Sequence, residues 1–216
     1  MSSLRSYTLF GFPVMQTKID PTAYDKKSIV SAIEKNFKIK NVRNKWDDTS
    51  ILHHVYNDGA NPQFNKVPYD TLIPVYKKIL LDIFSRLELL SNFNFSFSII
   101  NYTCLSSSNY MNSHLHEGAD FAGVHYIQFD KKNHTPTMFE NTSPHVDYLR
   151  QLRPKLTKLL SSKHPANSWA YKDWYLDTEE DDFCFSPAYL KHRINPQRSK
   201  KKNRITIVLN ITMEPK

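Results

Sequence analysis

Two histidines spaced two residues apart are the first candidates for chemistry in this chain. His114 and His116 lie in the segment 112–120, NSHLHEGAD. On an extended strand, residues two apart point to the same face, so both imidazoles can reach one metal ion. His192 comes later, after a strand and a turn, and can close such a site from an opposite sheet. Imidazole nitrogens suit iron, zinc, copper and nickel alike, so the ligand type alone does not select the metal.

A His-x-His pair is a weak signal when it stands alone. Such pairs are often solvated, or they are hydrogen-bonded polar residues of a core. We interpret the other histidines as structural or surface residues: His53, His54, His125, His134, His145 and His164.

Arg204 strengthens the case for a ligand site. It opens the segment 204–210, RITIVLN, and on a strand its side chain shares a face with Thr206, Val208 and Asn210. Burying a guanidinium without an anion is unfavourable, and a dicarboxylate ligand would supply that anion through a bidentate contact. The alternative is an exposed strand start, where the arginine meets water.

The helical segments come early in the chain. The segment 69–90 predicts a helix with one apolar stripe and with Pro74 in its first turn. Residues 21–37 predict a second helix, capped by Asp20. Residues 145–162 predict a helical insertion that is interrupted by Pro154.

Strand signals dominate after residue 92. Phenylalanines alternate with polar residues from Phe93 to Ile99, which predicts a half-buried strand. Further strands are predicted at 121–129, 182–186 and 205–213, and an edge strand at 7–15, where Pro13 limits pairing. This order predicts helices packed on one side of an antiparallel sandwich or jelly roll. We expect one domain over 1–216, with helical support mainly at 20–92 and the β core mainly at 93–213.

Several segments, in this order, resemble the 2-oxoglutarate/Fe(II)-dependent oxygenase superfamily. The chain is most similar to a group of short oxygenases of bacteria and their viruses that carries a His-x-His motif. The matching segments are LFGFPV at 9–14, His114-Leu-His116 followed by FAGVHY at 121–126, TMFE at 137–140, FSPAYLKH at 185–192 and RITIVLN at 204–210. The resemblance implies a double-stranded β-helix, which is a mainly β, cupin-like jelly roll with flanking helices.

The chain departs from the superfamily pattern at the second metal ligand. The wider superfamily has His-x-Asp or His-x-Glu with a distal histidine, whereas His116 stands at the second position here. Two ligand sets follow: either His114, His116 and His192, or a set in which Glu117 or Asp120 supplies a carboxylate. We favour the three histidines. A further possibility is a degenerate, inactive member.

The resemblance also implies cofactors and roles. The metal would be Fe(II), and 2-oxoglutarate would be the co-substrate that reacts with O₂ to give succinate, CO₂ and a hydroxylated prime substrate. Arg204 would pair with the distal carboxylate of 2-oxoglutarate, and Tyr126 would donate its hydroxyl to the same ligand. Asn210 would orient the chelating carboxylate or an iron ligand, and Tyr102 is a further candidate. A prolyl or other amino-acid side chain is the substrate expected at the level of the family.

Composition sets the remaining expectations. The formal net charge is +8, and the run Lys200–Lys202 reads as a solvated loop in preference to a nucleic-acid footprint, although it could border the site entrance and steer an anionic substrate. No apolar run approaches the ~20 residues of a membrane span, so we expect no membrane partner. Cys104 and Cys184 are too few for a disulfide scaffold, which favours a reducing cytoplasm.

Other classes of protein compete with the oxygenase. One is a non-catalytic jelly-roll module that binds a sugar, a peptide or a nucleic acid. Another is a three-histidine, cupin-like metalloenzyme that needs no 2-oxoglutarate. A zinc hydrolase is less favoured, because no motif surrounds a well-placed general base.

Overall fold

The computed structural model describes residues 5–9, 12–39, 52–56, 63–162, 164–198 and 202–216. These residues form eleven strands and four α-helices. The strands are β1 (Arg5–Leu9), β2 (Phe12–Lys18), β3 (His53–Tyr56), β4 (Phe93–Leu105), β5 (Met111–His114), β6 (Phe121–Gln128), β7 (Thr137–Glu140), β8 (Asp173–Tyr175), β9 (Asp182–Pro187), β10 (His192–Ile194) and β11 (Arg204–Pro215). The helices are α1 (Lys26–Phe37), α2 (Leu72–Arg86), α3 (Pro144–Leu152) and α4 (Pro154–Leu159), and short 3₁₀ turns span Tyr69–Thr71 and Pro165–Ala170.

The strands form two antiparallel sheets. The major sheet has the order β1-β2-β9-β6-β11-β4-β3, and the minor sheet has the order β5-β10-β7-β8. Strand β11 is central to the major sheet, since it pairs with β4 along its whole length and with β6 on its other side. The expected mainly β jelly roll is confirmed. No helix within the described ranges is both long and apolar enough to cross a lipid bilayer.

Helices α1 and α2 cover one face of the major sheet. In α2 the buried residues Leu72, Tyr76, Leu80, Ile83 and Phe84 form the predicted stripe, and this stripe belongs to the main hydrophobic core. Residues of β9 and β11 supply the sheet side of that core. The opposite face of the major sheet is therefore left for the minor sheet and for the cavity between the two sheets.

A β-bulge in β4 changes which side chains face the helices. Val208 pairs with Asn101 and Leu209 pairs with Ile99, so Ile100 is the extra residue. Before the bulge the odd-numbered residues of β4, such as Ile99, pack on the helical side. After it, Tyr102 is the residue that packs on the helical side, because one added residue reverses the alternation.

The N-terminal segment differs from its prediction. Two strands replace the single edge strand, and β2 is internal because it pairs with both β1 and β9. Pro13 is tolerated there because the pairing of β2 with β9 starts only at Met15. Helix α1 begins at Lys26, where the Asp25 side chain accepts a hydrogen bond from the Ser28 amide at 3.0 Å. Asp20 instead accepts from the Thr22 amide in the preceding turn.

Gly123 in β6 is required by close packing. A Cβ atom at this position would lie 2.6 Å from Cζ of Phe183, which is a distance that real contacts do not reach. The absence of a side chain lets the Phe183 ring lie directly over the sheet, inside the core that supports the strands of the site.

Candidate metal centre and co-substrate cavity

Three histidines converge between the two sheets. His114 ends β5 and His192 begins β10, and the antiparallel pairing of these strands sets the two residues directly opposite each other. His116 follows two residues after His114, and its amide donates to the Ala188 carbonyl at 2.9 Å, which fixes the loop. The candidate ligand atoms of the three rings lie within 4.8 Å of one another. The strands therefore bring together the ligand set that the sequence favoured.

Each of the three rings is oriented by a hydrogen bond at Nδ1. Nδ1 of His114 donates to the carbonyl of Asn112 at 2.8 Å, and Nδ1 of His192 donates to the carbonyl of Leu190 at 2.8 Å. Nδ1 of His116 donates to Oδ1 of Asn210 at 3.0 Å. A proton on Nδ1 leaves the lone pair of Nε2 free to bind a metal ion, so Nε2 is the candidate ligand atom of each ring.

Burial favours the neutral form of two of these histidines, which is the form that metal binding needs. Burial lowers the pKa of His116, and the bond to Asn210 only partly opposes this effect. Burial lowers the pKa of His192 well below its ordinary value, with His114 and His116 as further causes. Neutral imidazoles bind metal without first releasing a proton.

The two carboxylates considered as alternative ligands lie outside this cluster. Oδ2 of Asp120 accepts from the Met213 amide at 2.7 Å, so it ties the loop to β11. Glu117 is exposed and lines the cavity beside the histidines. Within the part of the chain that the structure describes, the three histidines are the group of potential ligands close enough to share an ion.

The histidines lie in a cavity of about 680 Å³ between the sheets. Its deep wall includes Arg204 and Thr206, and its exposed residues are Ser98, Leu115 and Glu117, which mark the mouth. Lys202 does not line this cavity; its Nζ donates to Glu180 at 2.8 Å. Residues 199–201 of the basic loop lie outside the described residues. A ligand that reaches from the histidines to Arg204 would fill the inner half of the cavity.

Arg204 is fully buried without a carboxylate among the described residues. Its side chain is 0% exposed, and its Nε has no hydrogen-bond partner there. Its two hydrogen bonds are long: 3.5 Å to Thr206 and 3.4 Å to Thr137. Burial lowers the pKa of Arg204, and Tyr126 acts in the opposite direction. A buried guanidinium with an orphaned donor fits an anionic ligand.

Tyr126 contacts Arg204 through its ring and Thr137 through its hydroxyl. The Arg204 guanidinium lies over the Tyr126 ring at 5.1 Å from the ring centroid, which is a cation–π geometry. The Tyr126 hydroxyl donates to Oγ1 of Thr137 at 2.7 Å and accepts from the Thr137 amide at 3.1 Å. Both hydrogen bonds of the Tyr126 hydroxyl are thus made with β7. Tyr126 therefore contacts two residues that line the cavity: Arg204 through its ring and Thr137 through its hydroxyl.

The structure does not bring Tyr102 to the cavity. The bulge at Ile100 turns Tyr102 to the helical face, where its hydroxyl lies 3.2 Å from Nε2 of His53. Thr137 and Thr206, to which the sequence alone assigned no role, both contact Arg204. Thr206 carries a readable signal, since it shares a strand face with Arg204. Thr137 comes from the other sheet, so no local pattern could have found it.

Comparison with known families places these residues in a wider context. A family model described as "Putative 2OG-Fe(II) oxygenase" matches residues 102–210, just over half of the chain. The matched range contains the three histidines, Arg204 and Asn210. Members of that family use Fe(II) and 2-oxoglutarate. The chain has no significant match among curated protein sequences.

Solved structures with similar folds include three from this class of enzyme. A prolyl-4-hydroxylase of Pseudomonas putida superposes with a TM-score of 0.53 at 7% identity, covering 98% of this chain and 93% of that chain. A viral collagen prolyl hydroxylase of Paramecium bursaria Chlorella virus-1, in complex with 2OG, gives 0.49 at 12% identity, covering 91% and 94%. An oxidoreductase of the 2OG-Fe(II) oxygenase family from Burkholderia pseudomallei gives 0.42 at 10% identity, covering 91% and 84%. The similarity to the Pseudomonas putida enzyme supports the jelly-roll fold.

Proposed function

This chain belongs to the 2OG-Fe(II) oxygenase family, and from that premise we propose that it hydroxylates an organic substrate with release of succinate and CO₂. One observation carries the proposal. The three convergent histidines and the buried, unpaired Arg204 lie in one cavity, so a metal site and an anion site face each other. A chelating dicarboxylate would satisfy both at once.

We assign the iron to His114, His116 and His192 through their Nε2 atoms. Asn210 holds the His116 ring, and the carbonyls of Asn112 and Leu190 hold the other two rings. Because the ring orientations are set by these bonds, the three donors are arranged before the metal binds. The donor set fits a six-coordinate metal that keeps open positions for a bidentate ligand and O₂.

We assign the distal carboxylate of 2-oxoglutarate to Arg204. The guanidinium offers the orphaned Nε and two weakly bonded terminal nitrogens, so it can form a bidentate contact. Thr137 and Thr206 position the guanidinium, and the Tyr126 ring packs on it. The pairing would neutralise a charge that is otherwise buried without a counter-ion.

Bound Fe(II) and 2-oxoglutarate supply the oxidising chemistry, in which O₂ is consumed and a C–H bond is hydroxylated. The protein contributes binding, orientation and the exclusion of water. No side chain is required as a general base. We propose an amino-acid side chain as substrate, with proline as the first candidate, since the similar structure from Pseudomonas putida is described as a prolyl-4-hydroxylase.

We also propose a reducing, cytoplasmic location. Cys104 and Cys184 are both buried free thiols, and burial raises the pKa of Cys184 to about 12. Thiols of this kind are unreactive and are typical of proteins that do not rely on disulfides.

The first test measures succinate formation by anaerobically purified protein that receives Fe(II), ascorbate, 2-oxoglutarate and then air. Enzymes of this class turn over slowly without their prime substrate, so succinate is expected. The His192→Ala variant should form none, whereas His164→Ala, which changes an exposed histidine, should match the wild type. Iron binding without succinate from the wild type would leave two readings: turnover that is strictly coupled to the prime substrate, or a cupin-like enzyme that needs no 2-oxoglutarate. The absence of both would favour a binding module.

A further inference from the structure

A second and larger cavity lies on the helical side of β4. It is a groove of about 1110 Å³. Its floor is β4 from Phe93 to Ile99, a run of about 20 Å at the rise of a strand. One wall is the face of α2 that carries Ile73, Lys77 and Leu81, which are spaced four residues apart.

The groove presents apolar side chains that the described residues leave partly exposed. Ile73 is 47% exposed and Leu81 is 42% exposed, although both lie on a helix with a well-buried opposite face. Phe93, Phe95 and Phe97 are only partly buried. A concave apolar surface of this size is the usual form of a site for a small organic ligand.

Cations surround this apolar surface. Lys66, Lys77 and Lys216 line the groove, and Asp70 is the acidic residue among its described lining. Lys216 donates through Nζ to the Leu90 carbonyl at 2.6 Å. Lys66 and Lys77 are exposed, and neither forms an ion pair with a described carboxylate. The groove therefore combines an apolar floor with net positive charge at its rim.

The groove adjoins the iron cavity. Ser98 and Ile99 belong to the walls of both. They precede the bulge at Ile100, where the alternation of β4 reverses. Ser98 is exposed at the mouth of the iron cavity. The two cavities lie on opposite faces of β4 and meet at its edge, which has no partner strand among the described residues before Asn101. A molecule lying along β4 would reach the mouth of the iron cavity by turning around this edge.

We propose that this groove binds the apolar body of the prime substrate, and that the substrate is an amphiphilic organic anion, such as a long-chain carboxylate. The apolar chain would lie on the β4 phenylalanines, with its charged group at Lys66 and Lys77 and its far end at the iron cavity. The role of this molecule as the substrate rests on the proposed oxygenase function, whereas the binding site itself does not depend on it. It is an alternative to the amino-acid side chain proposed above, and the succinate assay below decides between the two.

The test is isothermal titration calorimetry on the full chain, held anaerobically with Fe(II) and 2-oxoglutarate. Dodecanoate and dodecyltrimethylammonium, both below their micellar concentrations, provide the same chain with opposite charge. Dodecanoate should bind at one site, at least tenfold more tightly than the cation. Lys77→Glu should weaken dodecanoate binding about fivefold to tenfold, because an attractive exposed pair becomes a repulsive one. Lys78→Glu is the matched control, since Lys78 is the next residue of α2 and does not line the groove, and it should change the affinity less than twofold.

A second readout separates the site from the reaction. Dodecanoate should increase succinate formation, and Lys77→Glu should raise the dodecanoate concentration that gives half of this effect. The proposed site would be overturned by no binding, by equal binding of the two amphiphiles, or by equal effects of the two lysine variants. Succinate formed without dodecanoate would still support the oxygenase function in each of these cases. Binding that leaves succinate formation unchanged would overturn the substrate role. Lysine-dependent binding with no succinate under any condition would support the site and refute the oxygenase function.

Discussion

Replacing Arg204 by methionine should separate co-substrate binding from folding, because the two effects have opposite signs. The side chain is 0% exposed, and its hydrogen bonds of 3.4 and 3.5 Å are at the limit of useful geometry. Replacing a buried ion pair by apolar groups of similar volume is neutral or stabilising by about 1–4 kcal/mol, and we expect the same sign for Arg204, whose charge is buried without a described carboxylate. Losing the contact with the Tyr126 ring removes about 0.5–2 kcal/mol.

For the ligand-free protein the net expectation for Arg204→Met lies between a loss of about 2 kcal/mol and a gain of about 3.5 kcal/mol, with a small gain at the centre. At roughly 2–4 °C per kcal/mol for a chain of this length, the central expectation is a melting temperature a few degrees above that of the wild type. Binding of 2-oxoglutarate should instead lose about 2–5 kcal/mol, which is a factor of about thirty to several thousand in Kd.

The assay is thermal unfolding with and without 2-oxoglutarate, in the presence of a redox-inert divalent metal. At about one hundred times its Kd, the ligand stabilises the wild type by about 2.7 kcal/mol, and a hundredfold weaker variant gains only about 0.4 kcal/mol. Arg204→Lys keeps the charge without the planar fork, so it should fall between the two. A ligand-free Arg204→Met protein that melts well below the wild type, yet retains the full ligand-induced shift, would refute the assigned role.

Three further predictions concern the histidines. Asn210→Ala should weaken iron binding about 10- to 100-fold, measured by metal competition, whereas Asn210→Asp should restore much of it because an oxygen acceptor for His116 remains. In the same assay, His116→Ala should abolish stoichiometric iron binding, and Glu117→Ala should keep the iron affinity within about threefold of the wild type. Loss of iron binding in Glu117→Ala but not in His116→Ala would instead make the Glu117 carboxylate the ligand. Burial lowers the pKa of His53 from 6.5 to about 4, so the unfolded chain binds more protons in that window and stability falls as the pH drops through it. His53→Phe should therefore reduce the loss of melting temperature between pH 7 and pH 4.5, and an unchanged loss would contradict this reasoning.

The elements that could be predicted from the sequence are those with a long, regular pattern. Helix α2 and strands β4 and β11 each extend over many residues, so their periodicity is unambiguous. Strands β3, β8 and β10 have only three or four residues. Such segments show no period, and their positions are decided by pairing with distant strands.

The candidate site was predictable in its residue types but not in its contacts. The face shared by Arg204 and Asn210 follows from strand alternation, and the structure brings both to the cavity. The position of Tyr102 could not be predicted, because the bulge at Ile100 is invisible in the alternation of polar and apolar residues. The contact of Tyr126 with Thr137 depends on two sheets meeting, which no local spacing reports.

The hydrogen bonds that orient the three histidines have a consequence for redesign. His114 and His192 each donate to a main-chain carbonyl two residues earlier in the chain, so no side-chain substitution can remove those acceptors. Only His116 takes its acceptor from a side chain, that of Asn210. Position 210 is therefore the one place among these three acceptors where an engineer can adjust metal preference while the other two rings keep their geometry.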